Sequence, residues 1–176
     1  MKASKKIAFS SILAAVSVIL MLIGSFFGSL DLTAAAIASF CIILAVIEMG
    51  YKSATVIYAV SSLLAILILP SKMPAIYFLV FLGYYPIVKS LSEKLSLVIS
   101  YIIKVFSYFA AYAVLSVIVI KFFPAAEIKK YLLIGSLVGA AVFIIYDIAL
   151  TRIIGAYCSS LRNRLGMNRF FGNNKR

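Results

Sequence analysis

The chain has 176 residues, of which 65% are hydrophobic and 12% are charged, and its formal net charge at pH 7 is +12. Its mean hydropathy of +1.15 is far above the range of water-soluble globular proteins, whose surfaces need more polar residues. The composition therefore excludes a soluble enzyme and predicts an all-α fold, a polytopic bundle of transmembrane helices in a lipid bilayer.

Six apolar runs are separated by charged residues, glycines and prolines. A transmembrane helix needs about 20 mostly apolar residues, because each residue rises about 1.5 Å and the hydrocarbon layer is about 30 Å thick. The sequence predicts six spans, near residues 7–27, 32–49, 53–69, 74–89, 96–122 and 131–155. They form one domain, a bundle over residues 1–155, which is followed by a basic cytoplasmic juxtamembrane tail over residues 156–176.

The first run follows a basic N-terminal segment, residues 1–6, which resembles the start of a signal peptide. Because the apolar stretch continues for about 20 residues, we expect an uncleaved first span. Gly28 breaks the chain after this span, and Asp31 is placed to cap the second helix. The third and fourth spans meet at a tight hairpin that contains Pro70 and Pro74.

The basic residues are distributed unevenly between the two sides of this layout. Most Lys and Arg residues fall on the side of the N-terminus, and the other side receives only Lys72, Lys121, Lys129 and Lys130. The positive-inside rule then places both termini in the cytoplasm. This rule and attraction to anionic lipid account for the net charge, so we do not expect nucleic-acid binding.

Missing residue types and motifs exclude several kinds of chemistry. The sequence has no histidine and only five acidic residues, so Ser-His, Cys-His and His-metal sites cannot be built. It has no Gly-rich phosphate loop, so any nucleotide-driven motor must be another polypeptide. A Ser-Lys nucleophile at Lys104 lacks a candidate oxyanion hole. We predict that the protein is not an enzyme and has no metal and no cofactor.

Charged residues inside or at the ends of the spans form one candidate site: Glu48, Lys104, Asp147 and Arg152. All four lie towards the cytoplasmic side, where an ion-pair cluster lowers the cost of placing charges in lipid. Asp147 is expected to pair with Lys104. Glu48 is expected to pair with Arg152 or Lys52. Two roles stay open for this cluster, structural locking and a proton or ion pathway.

Small residues mark a second candidate site. Helices in lipid associate where small side chains allow their backbones to approach closely. The first span has two overlapping small-xxx-small pairs and the sixth has a GxxxG motif. The candidate partner-interface residues are Ser10, Ser11, Ala14, Ala15, Gly135 and Gly139. Packing inside the bundle remains an alternative for both motifs.

The end of the fourth span, residues 82–89, contains two tyrosines, a proline and a lysine. We interpret this segment as an interfacial aromatic belt with Lys89 as a positive anchor. In the C-terminal tail, leucines and phenylalanines alternate with arginines. This pattern predicts that the tail lies on the inner leaflet.

Six short spans, a basic N-terminus and small residues four apart in the first helix resemble the substrate-binding S component of energy-coupling factor (ECF) vitamin transporters. The first helix of that family typically carries Ala-x-x-x-Ala, which contacts a transmembrane coupling subunit. The matching positions here are Ser11 and Ala15, or Ser10 and Ala14, with Ser in place of the first Ala. No vitamin-specific signature accompanies these features.

The resemblance implies a subunit that binds a small metabolite from outside and works with a separate coupling subunit and a pair of ATPases. Residues 45–52, followed by a helix that ends at Leu69, also look like the family's second and third helices. The implied pocket opens outward, and the candidate lining residues near the outer ends of the spans are Ser29, Asp31, Thr33, Lys72, Tyr77, Tyr112 and Tyr131.

Two other classes of function stay open. A non-transport scaffold or regulatory subunit would bind partner membrane proteins through its small-residue faces, and the crowding of polar residues in the cytoplasmic half favours this class. A lipid-modifying enzyme could use the same charged residues on headgroups. The chain lacks the several aspartates that metal-dependent phosphotransfer normally requires.

Overall fold

A computed structural model of the chain describes residues 3–122 and 128–161. These residues are helical apart from short connections. The α-helices are α1 (Ala3–Phe26), α2 (Asp31–Met49), α3 (Tyr51–Ile68), α4 (Met73–Tyr77), α5 (Tyr85–Ser92), α6 (Leu97–Phe122) and α7 (Ile128–Ala156). A 3-10 turn, Gly28–Leu30, precedes α2, and π-helical segments cover Phe78–Leu82 and Tyr157–Leu161.

Six stretches of the described residues are long and apolar enough to cross a membrane. They are Ser4–Phe26, Gly28–Met49, Tyr51–Ile68, Met73–Ser92, Val98–Ile118 and Ile134–Ser159. For the residues that the structure describes, the prediction of an all-α fold with six such helices is confirmed. Asp31 differs from its prediction, because it is the first residue of α2 and the N-cap position is Leu30, which makes no side-chain cap hydrogen bond.

A single residue, Gly50, joins α2 to α3. Its φ of +84° lies in the left-handed region, which glycine enters without a clash from a Cβ atom. The Gly50 N–H donates to the carbonyl of Val46 at 3.1 Å, and the Gly50 carbonyl accepts from the N–H of Ala54 at 3.2 Å. This residue therefore ends one helix and begins the next, and the two helices form a tight hairpin.

Helices α1 and α2 pack so closely that small side chains are needed between their backbones. A Cβ atom added to Gly24 would lie 2.1 Å from the Cβ of Ala34, and the facing residues Ala35, Ala38 and Ala45 are fully buried. Close contact through small side chains is the usual way in which helices associate in lipid, where the hydrophobic effect does not drive their packing.

The fourth span is the most buried of the six stretches and is not a continuous α-helix. Helix α4 runs into the π-helical segment Phe78–Leu82, and the Gly83 N–H donates to the Phe78 carbonyl at 2.7 Å. A turn at Gly83 and Tyr84 then leads into α5. A Cβ on Gly83 would lie 2.7 Å from the Tyr58 ring, so glycine is needed for close packing there.

Helices α6 and α7 pack on each other through tyrosines that face glycines. The Tyr108 hydroxyl donates to the backbone carbonyl of Ser136 at 2.6 Å, and it lies 3.1 Å from a Cβ built on Gly139. The Tyr112 hydroxyl lies 3.8 Å from a Cβ built on Gly135. Helix α6 therefore contacts the GxxxG motif at Gly139, whereas Gly135 stays exposed, and both roles of the motif remain predictions.

Candidate functional site

Charged and hydroxyl side chains from α5, α6 and α7 converge on one carboxylate. We refer to them as the Asp147 cluster, whose members are Tyr85, Lys89, Glu93, Lys104, Asp147 and Thr151. Residues four apart lie on the same side of a helix. This spacing aligns Tyr85, Lys89 and Glu93 along one face of α5 and its end.

The Lys89 ammonium lies at the centre of the cluster and has no exposed surface. It donates to Asp147 Oδ1, to the Asp147 backbone carbonyl at 3.2 Å and to Thr151 Oγ1 at 2.8 Å. It also lies 3.3 Å from Glu93 Oε1. An ammonium has three N–H donors, so these contacts satisfy its full hydrogen-bonding capacity. A buried charge is tolerated in a protein when it is paired in this way.

The carboxylate of Asp147 bridges two lysines. Its Oδ1 atom accepts from Lys89 and from the Tyr85 hydroxyl at 2.7 Å, and its Oδ2 atom accepts from Lys104 at 3.1 Å. Lys104 also lies 3.8 Å from Glu93 Oε1. Two ammonium groups thus face two carboxylates, and this balance of charge lowers the cost of placing the cluster among apolar helices.

Aromatic rings surround the polar contacts on one side. The Tyr85 ring is fully buried, and its centroid lies 5.2 Å from Phe81, 5.2 Å from Phe143 and 5.7 Å from Tyr146. The interpretation of residues 82–89 as an interfacial aromatic belt with Lys89 as a positive anchor is therefore wrong for Tyr85 and Lys89, which are both buried in the bundle. Lys89 turns inward because Asp147, which comes from a distant part of the chain, supplies its counter-charge.

Tyrosine hydroxyls also reach backbone carbonyls of the irregular fourth span. Tyr58 donates to the carbonyl of Leu79 at 2.7 Å. The Tyr146 hydroxyl lies within hydrogen-bond distance of the Leu82 carbonyl at 3.0 Å and of Ser39 Oγ at 2.7 Å. Backbone groups at a helix break in lipid need partners from neighbouring helices, and these tyrosines provide them.

The structure brings Lys104 and Asp147 together but leaves Glu48 and Arg152 outside the cluster. Glu48 Oε1 accepts a hydrogen bond from the Tyr157 hydroxyl at 3.0 Å. The expected pairing of Glu48 with Arg152 or Lys52 remains a prediction. Arg152 is exposed. It follows Asp147 by five residues, which turns it by about 140° around the helix and away from the cluster.

Members of the proposed outer pocket lie in local turns. The Ser29 hydroxyl donates to the Phe27 carbonyl at 3.0 Å, and the Thr33 hydroxyl donates to the Leu30 carbonyl at 2.9 Å. Lys72 donates to the Leu69 carbonyl at 2.5 Å. These contacts within their own segments stabilise the loops that end α1 and α3.

The remaining members of that set are spread over different elements. Asp31 is partly exposed at the start of α2, and Tyr77 packs partly buried against the core. The Tyr112 ring stacks on Tyr108 with centroids 6.1 Å apart. The side chain of Tyr131 lies outside the part of the chain whose side chains the structure describes. The set remains a prediction.

An open groove of about 360 Å³ runs between α1 and α3. Its lining includes Lys6, Ser10, Ser11 and Ala14 from α1 and Ser53, Val56 and Val60 from α3. Near the helix starts the lining is mixed, because Ile7 lies there beside the polar Lys6 and Ser53. The floor is apolar and includes Ile57.

The structure also separates the two overlapping small-residue pairs of α1. Ser11 and Ala15 are exposed, whereas Ala14 is buried and Ser10 is half-buried, with its hydroxyl 3.5 Å from the sulfur of Met49. The Ser10 and Ala14 pair therefore packs towards α2 and the groove floor, and the Ser11 and Ala15 pair faces outward.

Comparison of the chain with known protein families, with characterised proteins and with solved structures finds no match. The site is therefore interpreted from its own geometry.

Proposed function

We propose that this protein is the membrane-embedded, substrate-binding subunit of a multi-subunit uptake transporter for a small metabolite or vitamin. It resembles the S component of ECF transporters and lies in the cell membrane with both termini in the cytoplasm. In this proposal it binds a transmembrane coupling subunit, which connects it to a pair of ATPases, and it catalyses no reaction itself.

The observation that carries this proposal is the outward face of α1 that carries Ser11 and Ala15, at the edge of the groove between α1 and α3. The α1 side of this groove includes Ser11, and the exposed Ala15 follows four residues later on the same face. Side chains this small allow the backbone of another helix to come close. The position agrees with the contact to a coupling subunit that the resemblance implies. Lys6 at the mouth adds a positive charge for an acidic group of that subunit.

The broken fourth span supports a role in transport. Helices that are interrupted inside the membrane are typical of transporters, where they place polar backbone and side-chain groups among apolar neighbours. Here the interruption at Phe78–Leu82 lies in the most buried span, and Tyr58 and Tyr146 contact its carbonyls. A bundle built only for anchoring would not need such an element.

A second candidate is a non-transport scaffold or regulatory subunit that binds partner membrane proteins. The Asp147 cluster favours it, because its ammonium and carboxylate groups satisfy one another and hold α5, α6 and α7 together. The groove serves partner binding in both candidates, so the identity of the partner distinguishes them.

The test is an affinity purification of the tagged protein from its native cells in mild detergent. Mass spectrometry then identifies the proteins and the small molecules that co-purify. The variant Ala15→Leu fills the exposed face of α1, and Ala141→Leu places the same side chain on an exposed position of α7 as the matched control. We expect Ala15→Leu to lose the coupling subunit and the ATPases, and Ala141→Leu to keep them.

Recovery of an ATPase pair, a coupling subunit and a bound metabolite with the unmodified protein would support the transporter proposal and name the substrate. Recovery of envelope or signalling proteins without an ATPase would favour the scaffold. If both variants retained the same partners as the unmodified protein, the face of α1 that carries Ser11 and Ala15 would not be the interface, and the proposal would lose the observation that carries it.

A further inference from the structure

We propose that the exposed edge of the Asp147 cluster is a binding site for an anionic phosphate group, and that Glu93 occupies this site as a built-in competitor. The site goes beyond the proposed transport function, because it lies apart from the outward pocket and from the groove on α1. Its ligand is either the headgroup of an inner-leaflet phospholipid or a free phosphate.

Two ammonium groups converge on one oxygen position. Glu93 Oε1 lies 3.3 Å from Lys89 Nζ and 3.8 Å from Lys104 Nζ. The two lysine side chains are 0% and 14% exposed, so their charges are shielded from water. An anionic oxygen at this position is attracted by both positive charges, and it can accept a hydrogen bond from Lys104, which uses only one of its three N–H donors on Asp147.

Without Glu93, the charges of the cluster do not cancel, and one further anion would neutralise them. Asp147 accepts hydrogen bonds from both Lys89 and Lys104 and neutralises one of their two positive charges. When the Glu93 carboxylate turns away, the remaining three groups carry one net positive charge. Basic pockets between membrane helices on the cytoplasmic side commonly bind anionic headgroups, and this site lies on the side assigned to the cytoplasm.

Glu93 is the member of the cluster that can leave. Its side chain is 43% exposed, and it follows the last residue of α5. The backbone N–H of Glu93 donates to the Lys89 carbonyl at 3.0 Å whatever the position of its side chain. Rotation of this side chain into water therefore breaks no backbone hydrogen bond of the helix, and partly exposed ion pairs between residues four apart are weak.

The test measures binding to the purified full-length protein in a non-ionic detergent. Three probes are titrated: inorganic phosphate, a short-chain phosphatidylglycerol, and a short-chain phosphatidylcholine as the zwitterionic control. The readouts are the melting temperature and, for the lipids, the bound fraction in native mass spectrometry. The proteins compared are the unmodified chain, Glu93→Gln, Glu93→Gln with Lys104→Gln, and Glu93→Gln with Lys94→Gln.

Lys94 provides the matched control, because it is an exposed lysine on the same turn and lies over the Tyr51 ring instead of in the cluster. Removal of the competing carboxylate should make Glu93→Gln bind phosphatidylglycerol about tenfold more tightly than the unmodified protein. The added Lys104→Gln substitution should abolish this gain, and the added Lys94→Gln substitution should preserve it.

The probes distinguish the two sources of the phosphate. Binding of both inorganic phosphate and phosphatidylglycerol indicates a site for a free phosphate, and binding of phosphatidylglycerol alone indicates a headgroup site. Absence of tighter binding in a monodisperse Glu93→Gln protein would overturn the proposal, as would an equal loss with Lys94→Gln and Lys104→Gln. Glu93→Ala is the second variant if Glu93→Gln does not purify as a folded protein.

Discussion

The contacts of Asp147 explain how α7 is attached to the rest of the chain. Its carboxylate accepts hydrogen bonds from Lys89 of α5, from Lys104 of α6 and from the Tyr85 hydroxyl. Without the negative charge of Asp147, the buried Lys89 would keep only the partly exposed Glu93 as a counter-charge. A single carboxylate therefore determines whether two lysines are tolerated inside the bundle.

This arrangement predicts a large effect of Asp147→Asn on stability. Removing one partner of a buried ion pair leaves an uncompensated charge, which costs about 3–5 kcal/mol. Unfolding of the purified protein by a denaturing detergent, followed by circular dichroism, measures this loss. Glu93→Gln is the control and should cost under about 1 kcal/mol, because Glu93 is partly exposed. Equal destabilisation by the two variants would contradict this account.

A double variant tests whether the pair acts through its charges or through its packing. Asp147→Leu combined with Lys89→Met removes both buried charges and keeps apolar side chains in their place. Such replacements of a buried pair are often neutral or stabilising, so the double variant should unfold at a higher detergent concentration than Asp147→Asn alone. The same unfolding titration checks this, and a double variant less stable than Asp147→Asn would count against it.

Of the two lysine contacts of Asp147, the sequence predicted the one with Lys104 and missed the one with Lys89. The pairing of Asp147 with Lys104 followed from two opposite charges at similar depth in the membrane. Lys89 was assigned to the interface, because it stands near the end of a span beside tyrosines, a pattern typical of aromatic belts. Its partner is 58 residues away in the chain. The four-residue spacing of Tyr85, Lys89 and Glu93 was the one available signal.

Among the helices, the fourth span depends on hydroxyl groups from its neighbours. The hydroxyl of Tyr146 contacts the Leu82 carbonyl and Ser39 Oγ. We expect Tyr146→Phe to destabilise the protein by about 1–2 kcal/mol, because a buried carbonyl loses a hydrogen-bond donor. Unfolding in denaturing detergent measures the change. Tyr101→Phe, at a position that is 67% exposed, should have little effect, and equal losses would argue against the proposed role of Tyr146.

The contact between α1 and α2 predicts a second effect at this scale. Gly24→Ala places a methyl group where the Cβ of Ala34 already lies, so the two helices must separate, at a cost of about 1–3 kcal/mol. A thermal melt in detergent should show a lower midpoint. Gly28→Ala is the control, because a Cβ there meets nothing within 4 Å. A Gly24→Ala melt that matches the Gly28→Ala melt would show that the helices are not this close.

The helices themselves were predictable, and the interruption of one was not. Hydropathy identifies spans because it sums over a whole membrane thickness, and the same summation hides a π-helical segment inside an apolar run. Residues 78–82 are uniformly apolar. Gly83 and Pro86 mark the change of direction, but both residues are also common in continuous membrane helices.

For the molecule as a whole, the distribution of basic residues predicts which way the bundle faces. Cys158 is an exposed free thiol at the end of the last span, on the proposed cytoplasmic side. In intact cells, a membrane-impermeant maleimide should not label it, and in inside-out vesicles it should. Ser29→Cys combined with Cys158→Ser should give the opposite result, because Ser29 is exposed at the other end of the bundle. Labelling of Cys158 in intact cells would reverse the proposed orientation.

The distance along the chain between Lys89 and Asp147 affects the order of events during membrane insertion. Lys89 leaves the ribosome 58 residues before its main partner. At about 5–20 residues per second, this is a delay of about 3–12 seconds. Glu93 follows Lys89 by only four residues and can neutralise its ammonium during this interval. Glu93 is thus the cluster's counter-charge that is already available to Lys89 before the last helix is made.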